Sequence, residues 1–426
     1  MEKAKFMTGK LLVKLFVLGL SWTLIYALGF IQYILYDPFQ HTLGVSNTEL
    51  GVLMTIFGLG NILGAPIGGW LADRFDYRKI FVCSLFGNGV LSLIFAMHLT
   101  YKMALFIWIG LAITTLVMNY PSHIKIVRLL ADEKNQGKIF GLNESFVGIG
   151  SIILNGVFLF LFAKFANEAM GMKAVIIAIG IASIVCAFIA WFIVKDVEAP
   201  VTEVVSNEKT EKMSSADFKK CLFSPATWLL GLSIFSVYTC AVTMSYFTPY
   251  ITSVLGMAVG FSGAISIIRT YALRLVGAPI GGIISDKVGS VSKALIVVYV
   301  LGIVTMISFI VMPVGTPAAV CIFLILLVGC IVYMGKGIYY AVSAELMVPA
   351  KYAATTVGIA AALGFSPDIF LFPLAGYWLD HYGNNGYRYL FTFQAIVMAV
   401  GILGSLYALH YKKKIMSKQE TDAVLS

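Results

Sequence analysis

Apolar residues form long runs along the whole chain, and short polar segments separate them. A helix needs about 20 apolar residues to cross a bilayer, and runs of this kind recur through both halves. In the first half they cover residues 11–36, 47–71, 80–100, 103–128, 139–164 and 174–194. In the second half they cover residues 225–251, 261–285, 293–313, 317–344, 352–378 and 387–410. The ~10-residue alternating segments of a barrel are not found. The pattern predicts an all-α polytopic membrane protein with twelve transmembrane helices.

Composition agrees with this prediction and excludes a soluble protein. Hydrophobic residues make up 59% of the chain, charged residues 12%, and the mean hydropathy is +0.90. Soluble domains carry about 25% charged residues. A chain with so few charges does not cover itself with polar surface.

The distribution of lysine and arginine predicts the orientation. With the N-terminus inside, the external loops hold few basic residues, namely Lys102, Lys164, Lys173 and Arg388. Because cytoplasmic loops carry the excess of basic residues, we expect both termini in the cytoplasm and a plasma membrane of the bacterial inner-membrane type. Basic loops facing anionic lipid also explain the net charge of +9. We therefore expect the lipid bilayer, and no nucleic acid, as a partner.

The chain divides into two similar halves. The segment GAPIGGWLADR begins at Gly64 and GAPIGGIISDK begins at Gly277, 213 positions later. The long internal polar segment, 195–221, reads as a cytoplasmic linker between them. We expect six-helix bundles over 1–194 and 222–412, with a cytoplasmic tail over 413–426. Parallel six-helix repeats of this kind occur in secondary transporters.

The first copy of the repeat carries a family resemblance. GGWLADRFDYRK resembles the loop signature of the major facilitator superfamily between spans two and three, and Gly69, Asp73, Arg74 and Arg78 match it. Asp76 stands where that family usually has glycine. The second copy keeps Gly282, Asp286, Lys287 and a glycine at 289. The resemblance implies two six-helix bundles related by a pseudo-two-fold axis, and transport by alternating access.

The small and charged residues of this segment also predict a function independently of the family resemblance. Small residues allow close helix approach in lipid, and a carboxylate at a helix end pairs with a base or with a neighbouring helix N-terminus. We expect a cytoplasmic gate at Gly69, Asp73, Arg74, Arg78, Gly282, Asp286 and Lys287. The alternative is that these charges only end the helices at the membrane surface.

Basic residues inside the membrane break the symmetry of the halves. Arg274 lies 12 residues before Asp286, which is ~18 Å of helix, and Asn61 occupies the equivalent place in the first half. Arg269 and Lys336 also lie within spans. Charges in the membrane are costly and mark functional sites, so these residues are candidate substrate-binding residues.

Few acids lie at the same depth. Asp368 follows Pro367 in span eleven, which predicts an interrupted helix, and Glu144 lies in span five. Asp368 and Glu144 are the candidate proton-coupling residues. An anionic substrate would balance the excess of bases, since arginine binds carboxylate, phosphate or sulfonate with two hydrogen bonds. The alternative is a permanent pairing of Arg269 or Arg274 with Asp368. His123 reads as a hydrogen-bonded histidine at a helix interface, with proton coupling as the alternative.

Tyrosines complete the candidate binding site. Tyr26 and Tyr238 lie in the middle of spans one and seven at equivalent positions, so we expect both to line it. The six cysteines are scattered without a paired motif, which favours small core residues over metal or redox chemistry. No cofactor is expected.

These features predict a monomeric secondary transporter for a small organic anion: a carboxylate, sugar acid, sugar phosphate or sulfonate. Moving an anion into a negative interior costs about 2.3 kcal/mol per charge per 100 mV, so we expect proton symport or exchange for a counter-anion. A multidrug or neutral-sugar transporter is the alternative. Motifs of zinc peptidases, serine hydrolases and P-loop proteins are missing from the sequence, so an enzyme is not expected.

Overall fold

The computed structural model describes residues 9–131, 135–197, 215–313 and 316–425. Within these ranges the side chains of Ala65, Pro66, Asp73 and a few others are not described. The described residues form helices and turns, without a strand. The fold is therefore all-α, as the apolar runs predict.

The first six spans follow the predicted runs closely. They are Gly9–Ala27, Asn47–Arg74, Tyr77–Met97, Tyr101–Leu129, Gln136–Ala163 and Glu168–Val194. Polar side chains cap the N-termini of several of these helices. Ser46 and Glu49 form a capping box before span two, and Thr100 and Asn167 cap spans four and six. Each cap satisfies a backbone N–H that the helix leaves free.

The last six spans are Pro225–Val254, Val259–Val288, Val291–Val311, Ala318–Glu345, the broken pair Ala350–Gly364 and Pro367–Tyr382, and Gly386–Leu425. Among the described residues, ten segments are long and apolar enough to cross a membrane, or eleven with the bent pair Tyr36–Leu43 and Asn47–Gly64. One of the ten, Thr355–Ser417, contains both span eleven and span twelve. The count therefore agrees with twelve spans.

One predicted boundary is wrong, at the end of span one, and one helix is longer than its predicted span. Span one ends at Ala27 and not at residue 36, and a short helix, Tyr36–Leu43, follows it. Gly29 lies between them, with its Cβ position 2.8 Å from the ring of Phe57, so the apolar residues after Ala27 pack on span two. The helix of span twelve continues past residue 410 to Leu425, because no proline or glycine stops it after Gly404. At 1.5 Å per residue its 40 residues measure about 60 Å.

The described residues separate into two compact units. The first contains those up to 197 together with Ser245–Ala272, and the second contains 215–244 and those from Leu273 onward. Spans seven and eight are thus divided between the units. Near the division both helices depart from α geometry, with a 3₁₀ turn over Thr243–Tyr246 and a π-helical stretch over Ile268–Ala272. The predicted linker falls mostly outside the described residues, and its end forms the helix Ser215–Phe223.

The repeated GAPIGG segment packs in the same way within each unit. In the first unit, Gly64 and Gly68 lie against the backbone of span four at Leu116 and Val117. In the second unit, Gly277 and Gly281 lie against span ten at Cys330 and Met334, and the Gly277 Cβ position is 2.9 Å from the Cys330 carbonyl oxygen. A side chain at Gly68, Gly277 or Gly281 has no room, and one at Gly64 would be tightly packed. The repeat therefore encodes one close helix contact per half.

Candidate functional site

Three predicted site residues come together in the second unit. The Tyr238 hydroxyl donates a 2.9 Å hydrogen bond to Oδ2 of Asp368, whose side chain is buried with 7% exposure. The Lys336 amino group lies 5.5 Å from the centre of the Tyr238 ring and 6.0 Å from that of Tyr333. A cation, an acid and two phenol rings from spans seven, ten and eleven thus form one polar cluster, which we call the Lys336 cluster.

Local sequence explains how these helices bring the cluster together. Span eleven is interrupted between Gly364 and Pro367, as predicted, and Asp368 lies in the first turn of the second segment. The Cβ position of Gly335 lies 2.8 Å from the side chain of Val237, so the glycine allows span ten to approach span seven closely beside Lys336. Small residues on spans ten and eleven therefore position the cation and the acid.

The two arginines of span eight belong to different units. Arg269 is fully buried in the first unit, where its Nη2 lies 3.4 Å from Oγ1 of Thr248 and its guanidinium lies over the ring of Phe247 at 5.8 Å. Arg274 is half-buried in the second unit, directly after the π-helical stretch. Such stretches are frequent at functional sites. The two arginines therefore lie in different surroundings, and the substrate contact of each stays a prediction.

In the first unit, Tyr26 lies within an aromatic cluster. Its ring centre is 5.1 Å from that of Trp22, 5.6 Å from that of Phe30 and 6.1 Å from that of Phe57. Tyr26 is half-buried, as is Asn61 on span two. The packed rings hold Tyr26 rigidly. Its contact with substrate remains a prediction, as does that of Asn61.

Glu144, the second candidate proton site, is exposed on span five. Its neighbour Asn143 is buried and lies 3.2 Å from Nε2 of His123. His123 is fully buried, and its Nδ1 has no hydrogen-bond partner among the described residues. The Nε2 contact agrees with the hydrogen-bonded reading of His123, and the unpaired Nδ1 leaves the proton-coupling alternative open.

The first predicted gate segment binds the end of span six. Arg78 donates 3.1 Å from Nε to Oδ1 of Asp76 and 2.8 Å from Nη1 to the carbonyl oxygen of Lys195. The Tyr77 hydroxyl donates to the carbonyl oxygen of Val197 at 2.8 Å. Asp76 also accepts from the backbone N–H of Arg78 and caps span three. Asp76 stands where the family usually has glycine. Its φ of −66° is ordinary for any residue, and its side chain caps the helix, so this position does not need a glycine.

The other predicted gate residues of this segment have fewer contacts. Arg74 is exposed and lies over the Trp70 ring at 5.3 Å, and Gly69 faces open space. The side chain of Asp73 lies outside the described part of the structure. A gating role for these residues stays a prediction.

The pKa of Asp76 gives a pH-dependent test of this loop. Burial raises the pKa, but hydrogen bonds from the side chain and backbone of Arg78 outweigh it, so the pKa lies below its ordinary 3.8. A lowered pKa stabilises the fold above the ordinary value, and the stabilisation is lost as the pH falls through the folded value. We expect Asp76→Asn to lower the thermal midpoint at pH 7, with a difference from wild type that shrinks toward pH 3.

The exposed Asp286 provides the matched control for that measurement, since Asp286→Asn should change the midpoint little at either pH. If Asp76→Asn lowered the thermal midpoint by the same amount at pH 7 and at pH 3, the result would contradict a stabilising role for the carboxylate charge.

Next to the second gate segment, Glu345 makes contacts that the sequence did not predict. Asp286 and Lys287 are exposed and Gly282 faces open space. Gly289 has a φ of +66°, a conformation that favours glycine, and Ser290 then caps span nine. Glu345 at the end of span ten accepts from the Ser290 hydroxyl at 2.5 Å.

Glu345 also accepts from the backbone N–H of Ser292 at 2.7 Å and lies 3.5 Å from the Lys412 amino group. One acid therefore joins the start of span nine to span twelve. Its signal in the sequence is an isolated acid at the end of an apolar run. Within the described residues, no three His, Cys, Asp or Glu side chains are grouped as for a metal ion.

Comparison with known proteins agrees with this architecture. Residues 12–370 match the Major Facilitator Superfamily. The chain is 32% identical to the inner membrane protein YqcE of Escherichia coli K12 over 373 residues, which cover 86% of this chain and 87% of that one. It is 24% identical over 424 residues to the probable galactarate/D-glucarate transporter GudP of Bacillus subtilis, with 91% and 89% covered.

Solved structures share the fold. A bacterial homologue of the human lysosomal transporter Spinster, in an inward-facing and unoccupied conformation, superposes with a TM-score of 0.75 at 17% identity. The match covers 96% of this chain and 98% of the other. This similarity extends over all twelve spans and establishes the architecture.

Proposed function

Because this chain belongs to the Major Facilitator Superfamily, and is therefore a membrane transporter that works by alternating access, we propose that it carries a small hydroxylated organic anion, with sugar acids as the leading class. The observation that carries the proposal is the Lys336 cluster. It offers a cation for a carboxylate, and a phenol and an acid for hydroxyl groups.

The geometry suits a sugar acid in particular. Lys336 provides three N–H donors and no acceptor, whereas Asp368 accepts and Tyr238 both donates and accepts. A polyhydroxylated carboxylate needs both kinds of group within a few ångströms. The similarity to a probable galactarate/D-glucarate transporter supports the same class.

The arginines contribute in different ways under this proposal. Arg274 is half-buried in the same unit as Lys336 and adds a second cation for a carboxylate or dicarboxylate. Arg269 takes part only in a state in which its contacts with Thr248 and Phe247 have opened. Coupling to a proton or exchange for a counter-anion offsets the ~2.3 kcal/mol per charge per 100 mV that opposes anion uptake.

The test combines a ligand screen with transport. Sugar acids should raise the thermal midpoint of the purified protein, because a ligand stabilises the state that it binds, and the same compounds should undergo counterflow in proteoliposomes. Lys336→Ala and Arg274→Ala should each reduce counterflow about 10- to 100-fold, the range expected for loss of a charge-assisted hydrogen bond.

The exposed Arg388 supplies the control, and Arg388→Ala should transport at the wild-type rate. Stabilisation by neutral sugars or by cationic drugs, without any by sugar acids, would instead support the neutral-sugar or multidrug alternative. Full activity of both alanine variants would overturn the anion site.

A further inference from the structure

A buried polar seam runs between spans three and four of the first unit. Span three contributes Ser84, Asn88 and Ser92 at intervals of four residues, and span four contributes Thr115, Asn119, Ser122 and His123. Each of these seven side chains is fully buried. We call this group the polar seam. Polar groups at membrane depth are costly unless they are hydrogen-bonded, so the seam needs an explanation.

Hydrogen bonds link the two spans along the seam. The Asn119 amide donates to the Ser84 hydroxyl at 2.8 Å. One turn away, the Asn88 amide and the Thr115 hydroxyl both donate to the carbonyl oxygen of Ile25 on span one, at 3.1 and 3.0 Å. These bonds hold spans one, three and four in register.

Four polar atoms of the seam have no hydrogen-bond partner among the described residues: Oδ1 of Asn88, Oδ1 of Asn119, Oγ of Ser122 and Nδ1 of His123. Buried polar atoms in proteins are almost always paired with protein or with ordered water. These four atoms are the groups that ordered water in the seam would bond, since each buried water joins about three polar groups.

His123 is the titratable residue of the seam. Its Nε2 lies 3.2 Å from Oδ1 of Asn143, an acceptor, so the neutral ring carries its proton on Nε2 and leaves Nδ1 as a bare acceptor. The ring packs against Trp22 at 4.8 Å and Phe81 at 6.0 Å. Neither neighbour competes for a proton.

The internal repeat relates His123 to the Lys336 cluster. Positions 123 and 336 are 213 apart, which is also the offset between Gly64 and Gly277. Each basic side chain lies beside an aromatic ring of the first helix of its half, His123 beside Trp22 and Lys336 beside Tyr238. The second half keeps a permanent charge at this place. The first half has a residue whose charge depends on a proton.

We propose that His123 binds the coupling proton of transport. The lone pair of Nδ1 accepts a proton carried by seam water, which forms an imidazolium and leaves neutral water. The free oxygens of Ser122 and Asn119 then accept hydrogen bonds from the new N–H through water. This inference rests on the proposed function, because it assigns the coupling species of that transporter.

Other ionisable groups near His123 are engaged elsewhere or lie at the surface. On its own span, the Tyr120 ring packs on Trp22 at 5.7 Å, and the Lys125 amino group donates to the carbonyl oxygen of Ala72 at 2.9 Å. On span five, Glu144 is exposed beside Asn143. The described contacts of the imidazole on spans one and three are the aromatic residues Trp22 and Phe81.

The test compares wild type and His123→Gln in the same proteoliposomes. Glutamine retains an N–H donor for Asn143, but its side chain does not take up a proton near neutral pH. With a gradient of about one pH unit, wild type should accumulate galactarate or glucarate roughly tenfold, and His123→Gln should not accumulate it. Counterflow at equal pH should survive in the variant. His98→Gln, which changes an exposed histidine, is the matched control.

Each outcome decides the proposal. Gradient-driven accumulation by His123→Gln overturns it, and so does a wild type with counterflow but no response to pH. Loss of counterflow in a folded His123→Gln assigns the histidine to substrate movement and also overturns it. His123→Asn gives the same comparison if the glutamine variant does not fold. Absence of counterflow in wild type for every sugar acid contradicts the proposed function itself.

Discussion

Gly281→Val should prevent spans eight and ten from packing and leave little folded protein. The Cβ position of Gly281 overlaps the carbonyl oxygen of Met334, a backbone atom that does not move without its helix. Overpacking costs about 1–3 kcal/mol in ordinary cores, and a backbone clash belongs at or above the top of that range. The measurement is the yield of monodisperse protein after detergent extraction, together with its thermal midpoint.

The adjacent residue supplies the control, because Gly282 belongs to the same segment but faces open space. Gly282→Val should therefore be recovered in wild-type yield. Equal losses in the two variants would contradict the assignment of Gly281 as the contact residue, and would indicate that helix propensity dominates.

Asp368→Asn should reduce both counterflow and gradient-driven uptake strongly, by about 10- to 100-fold. Asparagine keeps an oxygen for the Tyr238 hydroxyl but removes the negative charge that accepts its hydrogen bond, and hydrogen bonds to charged groups contribute about 1.5–3 kcal/mol. Loss of both activities distinguishes Asp368 from His123, whose glutamine variant should retain counterflow. Initial rates in proteoliposomes measure the effect.

Tyr238→Phe provides the graded comparison for Asp368→Asn. It removes the 2.9 Å hydrogen bond and keeps the ring under Lys336, so transport should fall about tenfold. Wild-type rates in Asp368→Asn would contradict a substrate-site role for the cluster. Retained counterflow with lost uptake would move the proton-coupling role from His123 to Asp368.

Much of the fold follows from local signals in the sequence. Apolar runs predict the spans because length and hydropathy suffice in a bilayer, and Pro367 predicts the break in span eleven. The end of span one is different. Residues 28–36 are as apolar as the helix before them, and their departure from it depends on Gly29 meeting Phe57 of another span. Periodicity along one segment contains no information about that contact.

The candidate site likewise has features that the sequence predicts and features that only the structure shows. Lys336, Asp368 and Tyr238 stand out individually as polar residues in apolar spans, and the structure adds that they form one cluster. The sequence does not separate Arg269 from Arg274, five residues apart, although one is fully buried and the other half-buried. That difference comes from tertiary packing around Thr248. The contacts of Glu345 and the free nitrogen of His123 are likewise visible only when the helices are assembled.

The division of spans seven and eight has a mechanical consequence. Each helix is covalently continuous across the boundary between the units, at Met244–Ser245 and at Ala272–Leu273. Movement of one unit against the other therefore bends or twists both helices. Irregular turns lie at or beside both boundaries, where the i to i−4 hydrogen-bond ladder is already interrupted. We therefore expect bending to concentrate at the 3₁₀ and π turns, because bending there breaks fewer backbone hydrogen bonds than bending a regular helix would.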